Sequence, residues 1–300
     1  MIYVFGHLNP DSDSICSALV AADWLNRLGK HATAFRLGDI TPETAFILQQ
    51  ANVTAPPLLD EDLSEKQVWL VDFTDAEQAP PSLAFSDIVG IIDHHRLGTV
   101  MTKNPPDIWI RSVGSCATVL WQILTHEYHQ PISSSQATLM LGAILSDTVA
   151  LTSPTTTDHD RAAVQALTCI SQLTYEAFVK GLMIAKTNIA GLTPEQLLMK
   201  DAKRYQINGQ SVLLSQIEVA GMLAIDAVLP DLLVALTKEC RLCHLDIAML
   251  AVTDIFQKNS TLYFSENNAI ELTPLSLPGV ISRKKDILPW LTGALSNSSR

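Results

Sequence analysis

The sequence predicts an α/β protein in two parts. An N-terminal unit is built on a mostly parallel sheet covered by helices, and a smaller C-terminal α/β unit follows, joined by a flexible linker. Three observations carry this prediction. Short apolar runs alternate with segments whose apolar residues recur every three or four positions, as β-α-β connections require. Several of those runs lack polar alternation, as strands buried on both faces do. A small, polar, Gly-containing break, TNIAGLT at Thr187–Thr193, interrupts the pattern past the midpoint.

In chain order, Ile2–Gly6 reads as a strand and Ser14–Leu28 as a helix, with Ile15, Leu19, Ala22 and Leu25 on one face. Ala32–Leu37 alternates like a strand. Pro42–Gln50 reads as a helix with Thr41 as N-cap and Pro42 in its first turn. Val68–Val71 and Ile88–Ile92 are buried-strand runs, each followed by Asp, and Ile108–Val113 alternates. Helices are predicted over Ser115–His126, Ser134–Leu145, Asp158–Gln172 and Thr174–Ala185. Beyond the break, helical patterns cover Pro194–Lys200, Ile225–Cys243 and Asp286–Ala294. Strand patterns there cover Tyr205–Ile207, Val212–Ile217, Asp246–Thr253 and Thr261–Ser265, and the SNSSR tail is expected to fray. The boundaries are therefore 1–187 for the first unit, 188–194 for the linker and 195–300 for the second unit.

Composition narrows the function. The 300 residues carry 20 Lys+Arg against 31 Asp+Glu, a net charge of −11, which argues against a nucleic-acid backbone as the main partner. Residues 1–194 hold 10 basic and 20 acidic side chains and seven of the eight His; residues 195–300 hold 10 basic and 11 acidic. Acidic residues with His suit hard and borderline cations. No stretch approaches the ~18 uncharged apolar residues of a membrane span. The start, MIYVFGHLNPD, lacks a secretory pattern, and five Cys in apolar context read as free thiols, so a cytoplasmic location is expected.

The chemistry-bearing residues sit where apolar elements end. His7, Asp11 and Asp13 follow the first strand, and Pro10 turns the loop back over the strand end. Asp13 or Ser14 is also placed to cap the following helix, the ordinary reading of such a loop. Asp72 closes the run Trp69-Leu-Val, and Asp93-His94-His95 closes the run Gly90-Ile-Ile. Asp147 ends an apolar helix, where its charge opposes the macrodipole and invites a cation. Two His and four Asp are enough for two divalent ions sharing a carboxylate, an arrangement that activates water and clamps phosphoryl oxygens. Oxygen-rich sites with one imidazole per ion suit Mn²⁺ or Co²⁺, with Mg²⁺ as a third choice. In the second part, Ser282-Arg283-Lys284-Lys285 is either a solvated face or a clamp on phosphate oxygens.

Three strings are discounted. Cys240-Arg-Leu-Cys243-His244 spells a haem-attachment motif, but it ends an apolar helical pattern and is read as a core-facing helix. His126-Glu-Tyr-His129 misses the spacing of a zinc-protease helix by one residue. Gly114-Ser115 opens a helix whose amides can hold an anion, although ordinary capping is the simpler reading.

The segments VFGHLNPDSDSICSA at 4–18, GIIDHHR at 90–96, AILSDT at 143–148, SPTTTDHD at 153–160, DAK at 201–203 and SRKK at 282–285 together resemble the family II inorganic pyrophosphatases. These are manganese- or cobalt-dependent members of the DHH phosphoesterase superfamily. The resemblance implies an N-terminal DHH domain and a smaller domain that closes over the site. It implies hydrolysis of pyrophosphate to two phosphates by a metal-activated water in a dinuclear site between two domains. His7, Asp11, Asp13, Asp72, His94 and Asp147 match the metal ligands, with Asp72 as the bridge. His95, Lys203, Arg283 and Lys284 match the catalytic, substrate-binding positions. It further implies Mn²⁺ or Co²⁺ as cofactor, Mg²⁺ arriving with the substrate, and a homodimer through the N-terminal domain.

One departure stands out. Many members read VDHNE where this chain reads Val71-Asp72-Phe73-Thr74-Asp75, so an apolar ring replaces a polar neighbour of the metal ligand. Metal affinity or preference is expected to differ from members with His there. The competing readings are an exopolyphosphatase or short-oligonucleotide phosphodiesterase of the same superfamily, and a metal-dependent binding module without turnover. The short basic run disfavours a polymeric substrate, and the complete ligand set disfavours an inactive module.

Overall fold

A computed structural model describes residues 1–265 and 274–297. The chain divides into two compact units, Met1–Lys186 and Thr187–Arg300.

The first unit orders its elements as β1 (Ile2–Phe5), α1 (Ser12–Arg27), β2 (Ala32–Ala34), α2 (Pro42–Ala51), β3 (Gln67–Val71), β4 (Asp87–Asp93), β5 (Asp107–Ile110), α3 (Cys116–Gln122), α4 (Ser134–Asp147), α5 (Asp158–Ser171) and α6 (Tyr175–Lys186). The five strands form one sheet in the order β2-β1-β3-β4-β5, every pair parallel. Both faces are covered, which explains the unbroken apolar strands. On one face Tyr3, Phe5, Val68, Leu70, Ile88 and Ile91 pack with Phe35, Leu63, Leu83 and Phe73. Toward the other, Trp24 of α1 meets Trp69 of β3 edge-on, ring centroids 5.6 Å apart. Gly90 of β4 accepts that indole: a Cβ there would lie 2.4 Å from the Trp69 ring.

The second unit runs α7 (Pro194–Lys200), β6 (Ala202–Ile207), β7 (Gln210–Val219), α8 (Leu223–Asp226), α9 (Leu229–Leu242), β8 (Ile247–Asp254), β9 (Asn259–Phe264), β10 (Leu275–Pro278), a π-helical turn at Arg283–Ile287 and α10 (Leu288–Asn297). Its sheet has the order β10-β9-β8-β7-β6 and is mixed: β7 and β8 are parallel, and the other pairs are antiparallel. Leu213 and Ile217 of β7 face a core with Leu232, Leu236 and Cys240 of α9, while Val212 and Leu214 face Leu291 and Leu295 of α10. The Cys240–His244 string thus ends a core-facing helix, with Cys240 buried.

Several boundaries differ from the sequence reading for identifiable reasons. The first helix begins at Ser12, and Asp11 caps it by accepting from Ser14 N–H; Asp13 and Ser14 are inside the first turn. The helix expected over Ile225–Cys243 is two helices, because Pro230 lacks an N–H to continue one ladder and starts a new one. The helix after Ser115 tightens to Cys116–Gln122 and passes into a π-helical turn at Ile123–Glu127. The strand β10 was hidden by its prolines; it is an edge strand with Pro278 at its end, where a missing donor costs little. Residues 298–300 of the tail lie outside the described residues.

A Gly90→Ala variant should lose about 1–3 kcal/mol of stability through overpacking against Trp69, read as a lower urea midpoint by tryptophan fluorescence. An unchanged midpoint would show that the strand yields freely at this position.

Candidate metal centre

Parallel strands deliver their carboxyl ends to one edge of the sheet, and the loops leaving that edge carry the acidic residues. Phe5 ends β1 and His7 follows; Asp72 follows β3; Asp93, His94 and His95 end and follow β4. Asp11 and Asp13 open α1 and Asp147 closes α4, helices that bring those ends to the same place.

All six sequence-predicted metal ligands come together. His7 Nε2 lies 3.6 Å from Asp11 Oδ2 and 3.4 Å from Asp72 Oδ2. His94 Nε2 lies 3.2 Å from Asp72 Oδ1, and 3.8 Å from both Asp13 Oδ2 and Asp147 Oδ2. Among the described residues three groups therefore form, His7–Asp11–Asp72, Asp13–Asp72–His94–Asp147 and Asp72–His94–His95, and Asp72 belongs to all of them.

Individual side chains are held firmly. Asp13 is fully buried; its Oδ2 accepts from Cys116 N–H at 2.5 Å, and its Oδ1 accepts from Ala117 N–H and Ser17 Oγ–H, both at 3.0 Å. Those amides open α3, whose cap is Ser115. The helix opening thus serves both readings made from sequence: a hydroxyl caps it, and the anion it holds is the protein's own. Asp72 adopts a left-handed backbone, φ 66°, which Asp tolerates, and its N–H still donates to Ile92 C=O. After Asp147 three successive residues, Val149, Ala150 and Leu151, have φ of 47°, 51° and 65°. A β-branched residue in that region is strained, and such strain gathers at functional sites.

The fit to divalent ions rests on three features. Both Asp72 oxygens are buried without a hydrogen-bond partner, and so is His94 Nε2. His94 Nδ1–H donates to Val113 C=O and His7 Nδ1–H to Leu8 C=O, leaving both Nε2 atoms aimed at the carboxylates. Ligands about 2.0–2.2 Å from one ion lie about 3–4 Å apart, and the ligand separations above fall in that range.

Protons occupy this space when ions do not. Burial opposes a charge on His7, yet the neighbouring Asp11 and Asp72 raise its pKa to about 11. Burial likewise opposes His94, but Asp72 and Asp13 raise it to about 9. Burial and the Asp72 charge push Asp13 to about 6, and burial with the Asp13 charge pushes Asp147 well above the carboxylate range. Asp11, although buried, is held low by His7.

His95 lies beside the ligands, its Nδ1 3.8 Å from Asp72 Oδ1. Its side chain is about half exposed, and its Nδ1–H donates to Asp93 Oδ1 at 2.9 Å. Asp93 Oδ1 also accepts the N–H groups of His94 and His95, so one carboxylate sets both histidines. That hydrogen bond raises the His95 pKa despite burial. A cavity of about 590 Å³ is lined by Asp11, His94, His95, Asp147, Ser112–Gly114 and Pro154–Thr157. Its two loop walls are tied together by buried Asp160, which accepts from Gly114 N–H, Thr118 Oγ–H and Thr157.

The predicted cations lie in the second unit. Lys203 is exposed on β6, and Arg283 opens the π-helical turn. The Arg283 guanidinium pairs with the Asp201 carboxylate and donates to Asp201 C=O at 2.6 Å. The Lys284 side chain lies outside the described residues. Phe73 is buried against Phe5, ring centroids 6.4 Å apart, so the ring that follows Asp72 belongs to the core.

Fold and site together define a phosphoesterase-like α/β protein with a candidate two-ion centre at the carboxyl edge of a parallel sheet. Residues 1–144 match the DHH family, N-terminal domain, and residues 180–294 match the DHHA2 domain. The chain is 33% identical over 305 aligned residues to a protein of Staphylococcus carnosus named as a manganese-dependent inorganic pyrophosphatase, covering 98% of this chain and 99% of that one. It is 36% identical to a protein of the same designation from Brevibacillus brevis, covering 96% of each. A crystal structure of a Methanococcus jannaschii protein, described as a family II inorganic pyrophosphatase, superposes with a TM-score of 0.69 at 33% identity, covering 98% of this chain and 99% of that one. An exopolyphosphatase-related protein of Bacteroides fragilis, at 13% identity and TM-score 0.54, shares the fold alone. The chain belongs to the family II, manganese-dependent inorganic pyrophosphatases of the DHH superfamily.

Because His7 and His94 hold protons at neutral pH without ions, Mn²⁺ must displace them. As pH rises from about 6 toward about 9, Asp13 and then His94 release protons in the metal-free protein, so apparent Mn²⁺ affinity should rise. The stability that protonated His94 contributes to the metal-free fold is complete below about pH 6.5 and is lost as pH rises through about 9. Calorimetric Mn²⁺ titrations in two buffers of different ionisation enthalpy should reveal proton release at pH 7; identical heats would contradict it.

Proposed function

We propose that this chain hydrolyses inorganic pyrophosphate to two phosphates, with two divalent ions held by His7, Asp11, Asp13, Asp72, His94 and Asp147. The observation that carries the reading is the buried Asp72 carboxylate, shared by every ligand group and engaged in no hydrogen bond. Relatives named as manganese-dependent pyrophosphatases that span almost the whole chain support the substrate and the metal. Mn²⁺ or Co²⁺ suits this donor set, and Mg²⁺ is assigned to the incoming substrate. Bound ions of this kind supply Lewis acidity, acidifying water and drawing charge from phosphoryl oxygens.

The chain's own groups do the rest. Asp13, fixed by two amides and a hydroxyl, keeps its carboxylate from swinging away. His95, favoured in its charged form by Asp93, donates from Nε2 to the departing phosphate and returns a proton to it. Arg283, Lys203 and Lys284 are assigned to the phosphate oxygens; the Arg283 Nε is buried without a partner and available as a donor. Residues 1–187 are the metal-binding part, 195–300 the substrate-binding part and 188–194 the linker. A homodimer through the first unit is supported by β5, an outer strand whose Ile108 is 48% exposed. The free thiols suit a reducing compartment, and we place the protein in the cytoplasm.

The test strips the protein of metal, restores Mn²⁺, Co²⁺ or Mg²⁺ separately, and measures phosphate release from pyrophosphate, polyphosphate and a dinucleotide. Fast release from pyrophosphate, strongest with Mn²⁺ or Co²⁺, is expected; preference for either other substrate would overturn the reading. Asp13→Ala should lower turnover by more than about 100-fold and reduce the bound metal per chain. Retention of both would remove Asp13 from the centre.

A further inference from the structure

Glu43 is a buried carboxylate that the proposed reaction does not use. It lies in the first turn of α2, between Pro42 and Thr44, where an acidic residue normally just faces the helix dipole. Here its oxygens leave the helix altogether. Oε1 accepts from Ser12 Oγ–H at 2.8 Å and from Ser146 Oγ–H at 2.5 Å. Oε2 lies 3.1 Å from the Lys186 ammonium, which also donates to Ser146 Oγ at 3.1 Å.

The two serines matter by position. Ser12 stands between Asp11 and Asp13 at the start of α1, and Ser146 immediately precedes Asp147 at the end of α4. Both are buried. One carboxylate from α2 therefore ties together the two backbone segments that carry three of the four acidic ligands. Whenever those ligands are all ionised, their like charges act to separate the two segments. Glu43 opposes that motion through hydroxyl hydrogen bonds rather than by adding another charge to the ligand cluster, and Lys186, the last residue of α6, balances its charge.

We propose that Glu43, paired with Lys186, is a positioning residue that clamps Ser12 to Ser146 and so sets the separation of Asp11 and Asp13 from Asp147. The proposal rests on reading those residues as the ligands of two ions. Groups that orient metal ligands commonly alter affinity 10–100-fold when removed.

The experiment titrates metal-free protein with Mn²⁺ by calorimetry and records the melting temperature of the same metal-free samples. Glu43→Ala should raise the Mn²⁺ dissociation constant by about tenfold or more. Glu43→Gln combined with Lys186→Met keeps an oxygen for both hydroxyls and leaves no unpaired charge; its affinity should stay within about threefold of the unaltered chain. A lower melting temperature with unchanged Mn²⁺ affinity would reduce Glu43 to a support for α2 and overturn the proposal. If Glu43→Ala fails to fold, Ser12→Ala with Ser146→Ala decides: it leaves the Glu43–Lys186 pair intact, should show the same tenfold loss, and refutes the clamp if affinity is unchanged. If the unaltered chain binds two Mn²⁺ but releases no phosphate from pyrophosphate, the hydrolytic reading falls, and the affinity comparison still judges the clamp.

Discussion

Asp72 places two carboxylate oxygens in a space nearly closed to solvent, neither of them engaged in a hydrogen bond and each faced by an imidazole Nε2. An anion so placed costs several kcal/mol unless positive charge compensates it. Around it stand three more carboxylates, Asp11, Asp13 and Asp147, and two imidazoles whose Nε2 atoms point inward. Without ions the cluster compensates by holding protons, which is why both histidines are raised and two of the aspartates are pushed up. Two divalent ions carry four positive charges against these four carboxylates, the balance that the arrangement otherwise lacks.

Much of the surrounding architecture serves to keep those charges close. The parallel sheet brings the ends of β1, β3 and β4 to one edge. The opening amides of α3 fix Asp13, the carbonyls of Leu8 and Val113 fix the ring orientations of His7 and His94, and Asp93 fixes both members of the histidine pair. The left-handed residues after Asp147 show that the chain accepts backbone strain at this point. Apolar packing pins the strands themselves: Trp69 lies on Gly90, and Phe73 sits in the core immediately after Asp72.

The sequence made the candidate ligands legible because most of them stand where an apolar element ends with no packing reason to end in a charge. His7 and Asp72 follow strands, Asp93-His94-His95 ends and follows one, and Asp147 ends a helix, while Asp11 and Asp13 crowd the turn into the first helix. What could not be read was the set of groups that hold them. Asp13 meets Cys116, and Glu43 meets Ser146, across about a hundred residues of chain, and no local spacing announces such pairs. Asp160 carried a faint signal as the fourth residue of a Thr157 capping box, but that motif predicts a helix start and not a bolt between two loops. In the second unit, β10 was masked by its prolines, and Pro230 divided a helix whose apolar periodicity continued across the break. Burial of Arg283 against Asp201 was also invisible, since DAK and SRKK lie about eighty residues apart.

A carboxylate shared by two ions makes a prediction that ligand identity alone does not. Two Mn²⁺ ions held by ligand groups that share Asp72 would couple magnetically. Electron paramagnetic resonance of metal-free protein titrated with Mn²⁺ reads that coupling directly. Two Mn²⁺ per chain and a broad, exchange-coupled multiline spectrum are expected at full loading. A spectrum of isolated six-line Mn²⁺ at saturation would contradict the shared centre.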